Sequence, residues 1–204
     1  NFEYINETIT GGALPRITSY FSNSSLAMQD GPATGAVADY LAPFRNDLLP
    51  GTLEGYALPQ SDGSARNRRG IRAAMAQLEA AGYSARDGTM RNADGAPLSF
   101  SILISKGGAQ DIQGSEKIAD LYVNALKRLG IAARVEVVDS AQVVRRLDEF
   151  DFDMTTFRRA LSLSPGNEQK YYWGTDAAAQ PGSRNVMGAT NPAIDAMIDA
   201  MLTA

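Results

Sequence analysis

Between Phe150 and Trp173 the chain reads FDFDMTTFRRALSLSPGNEQKYYW, a strand-like run that breaks into a polar loop crowded with groups able to recognise a ligand. Arg158 and Arg159 stand where the run ends, and a guanidinium fork matches carboxylate or phosphate. Neighbouring residues of a strand point to opposite faces, so only one of the pair faces any cleft. Ser162, Ser164, Asn167 and Glu168 follow around a Pro-Gly break, then Tyr171, Tyr172 and Trp173. Hydroxyls, an amide, a carboxylate and aromatic faces at this density fit reversible binding of a charged organic ligand, and connections at the carboxyl ends of strands in open α/β sheets carry such groups. An ordinary solvated connection has the same composition. The aromatic residues equally fit stacking on a ligand or anchoring of the loop through their apolar area.

The chain has no cysteine and no histidine among its 204 residues. Thiolate chemistry, disulfides, Ser-His-Asp triads and the commonest transition-metal ligand are therefore excluded. Carboxylate, lysine or tyrosine chemistry remains, and the rival reading is a carboxylate-dependent hydrolase or transferase that uses Asp153 or Glu168 with a neighbouring Lys or Tyr. The pairs Asp151/Asp153 and Asp195/Asp199 have the spacing of solvated strand and helix faces. The acidic neighbourhood Asp139 to Asp153 lacks the offsets and central glycine of a calcium loop, so neither metal nor cofactor is expected. Gly107-Gly108 follows a strand and precedes a helix, yet without a phosphate-binding fingerprint it reads as a turn. Arg66, Arg68, Arg69 and Arg72 cluster at the start of a helix, a poor place for cations unless something neutralises them. That face is solvated, or it meets an anion, another domain or a protein partner.

The elements that must position these groups are legible from periodicity. Asn1 to Gly11 reads as a capped helix, and Ile71, Ala74, Met75, Leu78 and Ala81 recur at helical spacing before Gly82. Asp87-Gly88 and Asp94-Gly95 signal a hairpin-like excursion. LSFSILIS (Leu98 to Ser105), Ala132 to Val138 and Asp151 to Phe157 read as strands, with helices between them capped by Ser115 and by Ser140. The order strand, helix, strand, helix, strand predicts a βαβαβ unit, and Asn191-Pro192 opens a last helix. Residues from Pro15 to Gly63 are rich in Pro, Gly, Ser and Asn, with a short helix at Ala36 to Leu41, which is unusually much irregular chain for a compact domain. One domain fits the length. A net charge of −4 with 21% charged residues argues against nucleic acid. No apolar run is long enough to cross a bilayer, so direct membrane insertion is not expected. The chain opens without an initiator Met and stops within a helical pattern, which leads us to expect a piece of a longer protein with any targeting sequence upstream.

The stretches NFEYINETITGGALPRITSYFSNSSLA, PFRNDLLP, DGSARNRRGIRAAMAQLEAAGY, FDMTTFRRALSLSPGNEQKYYWG and GSRNVMGATNPAIDAMI, which cover nearly the whole chain in order, resemble the carboxyl-terminal lobe of the family 5 extracellular solute-binding proteins, nearest the YejA-like branch. The resemblance implies a single α/β lobe over residues 1–204, part of a two-lobed type II periplasmic-binding-protein fold with a mixed sheet, on which an irregular and helical segment 1–63 packs. It implies a periplasmic component of an ABC importer that captures oligopeptides or peptide-like compounds without a chemical reaction, with the permease subunits and a missing amino-terminal lobe as partners. On that reading Arg158 or Arg159 holds an anionic group, while Ser162, Ser164 and Asn167 bond the peptide backbone. Tyr171 or Trp173 stacks. In peptide-binding relatives an acidic residue shortly before the proline pairs with the ligand's amino group. Leu161 to Ser164 hold no carboxylate, which leaves Glu168 as the substitute.

Overall fold

The computed structural model describes residues 1–203, and its contacts group the chain into two compact units. The first comprises residues 1–16, 59–146 and 151–159; the second comprises 17–58, 147–150 and 160–204. The first is built on a three-stranded sheet, β3 (Ser99–Lys106), β4 (Ala132–Asp139) and β5 (Met154–Thr155), in the order β4-β3-β5 with both pairings parallel. A mixed sheet is thus not what the described strands form. The antiparallel pairing lies in a separate hairpin, β1 (Ser84–Arg86) and β2 (Thr89–Arg91), turned by Asp87 and Gly88, both at positive φ as a type I′ turn requires.

Helix α1 (Phe2–Thr10) begins where Asn1 Oδ1 accepts the Tyr4 N–H at 3.2 Å and ends on left-handed Gly11. In α3 (Arg68–Ala80) the apolar positions Ile71, Ala74, Met75 and Leu78 pack on a cluster of Met90, Leu126, Leu129 and Ile131. Gly130 lies at φ 74°, and a Cβ there would stand 2.8 Å from the Gly88 carbonyl oxygen and the Met90 nitrogen. Its own carbonyl accepts the Met90 N–H at 2.8 Å, which fastens the hairpin to the core together with the buried Met90 side chain. Strand β3 is buried from Ser101 to Ser105 on both faces, as a central parallel strand must be. Ala119 and Val123 of α4 (Ser115–Lys127) pack on Ile102 and Ile104. The next helix, α5 (Ser140–Asp148), buries Val143 and Leu147.

Two caps and one strand differ from the sequence reading. The residue that starts α4 is Gly114 at φ 81°, with Ser115 already helical and buried; Asp139, not Ser140, caps α5 by accepting the Gln142 N–H at 3.0 Å. Strand β5 holds only two of the seven residues expected. The Asp153 carboxylate takes the Ser101 N–H at 2.9 Å, which removes a ladder donor before the strand, and the Arg158 N–H turns to Gln110 Oε1 at 3.2 Å after it.

The second unit joins the irregular segment to the chain's last helices. It holds α2 (Gly35–Leu41) followed by a single 3-10 turn (Ala42–Phe44), then α6 (Glu168–Trp173), α7 (Thr175–Ala178) and α8 (Pro192–Thr203). Asn191 caps α8 by accepting the Ala193 N–H at 2.9 Å, and its amide donates to the Asp47 carbonyl at 2.7 Å. Tyr20 meets Trp173 edge to face at 4.8 Å. Asn185 is fully buried; its amide donates to the carbonyls of Gly174 at 3.0 Å and Ala189 at 2.9 Å, and its oxygen accepts the Ala189 N–H at 2.9 Å.

Candidate functional site

In the first unit the chain leaves β3 for β4 on one side and returns through α5 to β5 on the other, so neighbouring connections diverge at the carboxyl ends of β3 and β5. Open parallel sheets bind ligands at such a divergence. A concavity of about 920 Å³ opens at this end. Its walls come from the end of α1 (Thr8 to Thr10), the end of β3 (Ile104 to Lys106), the loop and first turn of α4 (Asp111 to Lys117), Val137 of β4, and Arg158. The loop folds back because Gly107 and Gly108 both take positive φ, and a Cβ on Gly108 would come within 2.8 Å of the Ser140 Cβ. Asp111 is committed to this turn, accepting the Gly107 N–H at 2.7 Å. Lys106 and Arg158 are exposed, and neither has a carboxylate in ion-pair range among the described residues. The cleft therefore offers Lys106, Arg158 and the exposed Lys117 as cations without an ion pair among the described residues, beside the one open carboxylate of Glu116, and an excess of positive charge can hold an anionic group.

The sequence-predicted residues divide between the units. Arg158 lines the cleft of the first, whereas Arg159, also in the first, lies over the Phe157 ring at 5.2 Å. The other six belong to the second unit, and the predicted loop closes partly into α6 because Glu168 satisfies the turn before it. Its carboxylate accepts the Gly166 N–H at 2.9 Å and the Gln169 amide at 3.1 Å. Those bonds hold its pKa below the ordinary glutamate value, the Gly166 N–H contributing most. Ser162 Oγ accepts the Ser164 N–H at 3.1 Å. Tyr171 donates its hydroxyl to the Gly182 carbonyl at 2.5 Å, and Trp173 donates its indole N–H to Gln169 Oε1 at 3.2 Å while its ring meets Tyr20. Ser164 and Asn167 are exposed with side chains in no hydrogen bond among the described residues. Sequence reasoning missed Lys106 and the first turn of α4. The signal was present: a cation closing a strand, directly before a glycine pair and a helix.

The second unit has a concavity of its own, about 590 Å³, walled by Leu41, Leu48, Leu49, Ile194, Met197 and Met201, with Pro165 and Gln169 at its edge. Its lining is almost wholly apolar.

The parallel sheet and its crossovers are those of a lobe of the type II periplasmic binding proteins. The fold matches part of the oligopeptide-binding protein AppA of Bacillus subtilis, solved with a nonapeptide, at a TM-score of 0.54 and 22% identity over 63% of this chain and 25% of that one. It matches a Thermotoga maritima periplasmic oligopeptide-binding protein, solved with mannohexaose, at a TM-score of 0.50 and 15% identity over 79% of this chain and 26% of that one. Residues 1–181 match the model of the bacterial extracellular solute-binding proteins, family 5, middle, and the chain belongs to that family. Among curated relatives it is 38% identical to a putative binding protein of Brucella melitensis biotype 1. It is 37% identical to the probable peptide-binding protein YejA and 36% identical to the peptidoglycan-binding protein YepA, both of Agrobacterium fabrum. Each match takes in 100% of this chain and 32% of the relative, so the chain spans about a third of their length. No helix among the described residues is long and apolar enough to cross a membrane.

Proposed function

We propose that this chain supplies one wall of the ligand site in a periplasmic solute-binding component of an ABC importer. In this reading the solute is an oligopeptide or peptide-like compound, delivered unchanged to the permease subunits. The switch-point cleft, lined by Lys106 and Arg158 without ion-pair partners among the described residues, carries the reading, since free guanidinium and ammonium groups suit the carboxylate end of a peptide. Of the residues singled out from sequence in the second unit, Ser164 and Asn167 are exposed with side chains in no hydrogen bond among the described residues, which leaves them open to backbone donors and acceptors. Relatives whose names include peptide or peptidoglycan binding support this choice of solute.

The test uses the full-length protein. Mass spectrometry of co-purified solute identifies the class, and calorimetry then compares a bound peptide with its carboxyl-amidated form. A charge-assisted hydrogen bond contributes about 1.5–3 kcal/mol, so Arg158→Ala weakens binding roughly ten- to a hundredfold for the free acid and little for the amide. Equal affinity for acid and amide, with Arg158→Ala and Lys106→Ala both silent, refutes the assignment. A solute recovered chemically altered would instead favour the hydrolase or transferase reading. The remaining two thirds of the protein supply the opposite wall in this proposal, so the 204-residue chain alone binds the same peptide with a Kd weaker than about 1 mM.

A further inference from the structure

Charge is unevenly divided along this chain. The first unit holds 16 of the 19 basic residues and 13 of the 23 acidic ones, a net of +3; the second, with 3 basic and 10 acidic, is at −7. Much of the positive charge is gathered in one place. Arg66, Arg68, Arg69 and Arg72 are all exposed, and none has a carboxylate within ion-pair range among the described residues. Arg128, also exposed, donates to the Ala65 carbonyl at 2.9 Å and the Arg66 carbonyl at 3.0 Å, which brings the far end of α4 and its Lys127 to the same spot. Local electrostatics oppose the arrangement twice. Arg68 and Arg69 occupy the first turn of α3, where the helix dipole disfavours cations. Arg72 lies four and three residues beyond them, on the same helix face, so like charges repel.

The cluster is also remote from the cleft. Ser115, at the start of α4, lines the cleft, and Arg128 lies 13 residues further along, about 20 Å at 1.5 Å per residue. Protein-docking sites combine arginine with large aromatic anchors, and here the arginines stand without them: no exposed large apolar residue occurs between Pro59 and Ala81. Asn67, Gly70 and the half-buried Ile71 separate the arginines, and Ala65 and Ala73 flank them. A face with dense guanidinium charge and no anchor suits a diffuse layer of phosphates. We propose that Arg66, Arg68, Arg69, Arg72, Lys127 and Arg128 form a docking surface for anionic phospholipid headgroups, which holds this end of the first unit against a bilayer.

Co-sedimentation of the intact chain with vesicles tests this. Vesicles of phosphatidylcholine and phosphatidylglycerol at about 7:3 bind the chain at about 20 mM salt, pure phosphatidylcholine vesicles do not, and binding falls at least about tenfold at about 300 mM salt. The variant R68Q/R69Q/R72Q loses that binding while its melting temperature stays the same or rises, because the removed charges opposed the helix. R45Q/R86Q/R145Q, which removes three charges elsewhere, still binds. Absence of binding to the phosphatidylglycerol vesicles at low salt overturns the proposal. So does equal loss in both triple variants, or retention on polyglutamate beads without retention on vesicles, which assigns the face to an acidic protein.

Discussion

Replacing Asn185 by alanine tests whether a single buried amide organises the second unit. The side chain is wholly inaccessible and makes three hydrogen bonds, two to carbonyls and one from the Ala189 N–H. Each contributes about 1 kcal/mol net, and a buried group left without a partner costs about 1–3 kcal/mol. Asn185→Ala is therefore expected to destabilise by about 3 kcal/mol or more, since Gly174 and Ala189 keep their polar groups in a dry site. For a chain of this size 1 kcal/mol moves the melting temperature by about 2–4 °C, which gives a drop of roughly 6–12 °C. Calorimetry measures the drop, and amide exchange localises it, with the Ala189 N–H losing protection first. Asn185→Asp sharpens the test, because it sets a carboxylate oxygen against two carbonyl oxygens. At neutral pH this variant is less stable than Asn185→Ala. Its introduced carboxyl holds a proton more tightly folded than unfolded, so its ionisation penalty is absent below about pH 3.9 and grows as pH rises toward the raised folded value, while the loss of one of the two amide donors remains at every pH. An Asn185→Ala transition within about 2 °C of the parent, or an Asn185→Asp variant indifferent to pH, would refute the reasoning.

Other expectations concern the first unit. Gly130→Ala sets a Cβ against the Gly88 carbonyl and the Met90 nitrogen at a left-handed φ, which costs about 2 kcal/mol or more; urea unfolding should show the shift, and a silent substitution would mean that the hairpin is not fastened there. Leu103→Ala, at a residue with no exposed surface, should cost about 2–5 kcal/mol in the same assay. The Asp153 carboxyl is held below its ordinary value chiefly by the Ser101 N–H and then by its hydroxyl. Its stabilisation is complete above the unfolded pKa, about 3.9, and fades as pH falls through the lower folded value. Melting temperature measured from pH 2 to 6 should fall more gently on acidification in Asp153→Asn than in the parent, and parallel curves would contradict this.

What could be read from sequence was whatever is written locally. Asn1, Gly11, Asn191 and Pro192 mark helix ends by residue type alone, and α3 carries its apolar stripe at a regular interval, whereas α4 buries Ala119, Val123 and Leu126 and leaves Tyr122 exposed. The reading failed where a side chain competes for backbone partners across the chain. Nothing near Asp153 announces that it takes the Ser101 N–H, 52 residues away, and cuts β5 to two residues. Ser115 and Ser140 looked like caps because serine caps well, but Gly114 and Asp139 sit one residue earlier and do it. The site shows the same division. Arg158 and Arg159 were read together from their position after a strand, without a way to choose between them, whereas Lys106 was passed over although it too closes a strand, directly before a glycine pair. Glu168 and Trp173 looked available as ligand groups, and their partners Gly166, Gln169 and Tyr20 are visible only in three dimensions.

The boundary between the two units is crossed five times, after residues 16, 58, 146, 150 and 159. Neither unit is an unbroken length of polypeptide, so neither can be obtained by cutting the chain once. During synthesis the first unit has all its pieces when residue 159 leaves the ribosome. The second must keep residues 17–58 waiting until residues 160–203 arrive, and that early stretch, with Tyr20 lacking Trp173 and with Phe21, Leu41 and Leu48 not yet half-buried, is where a chaperone would be needed most.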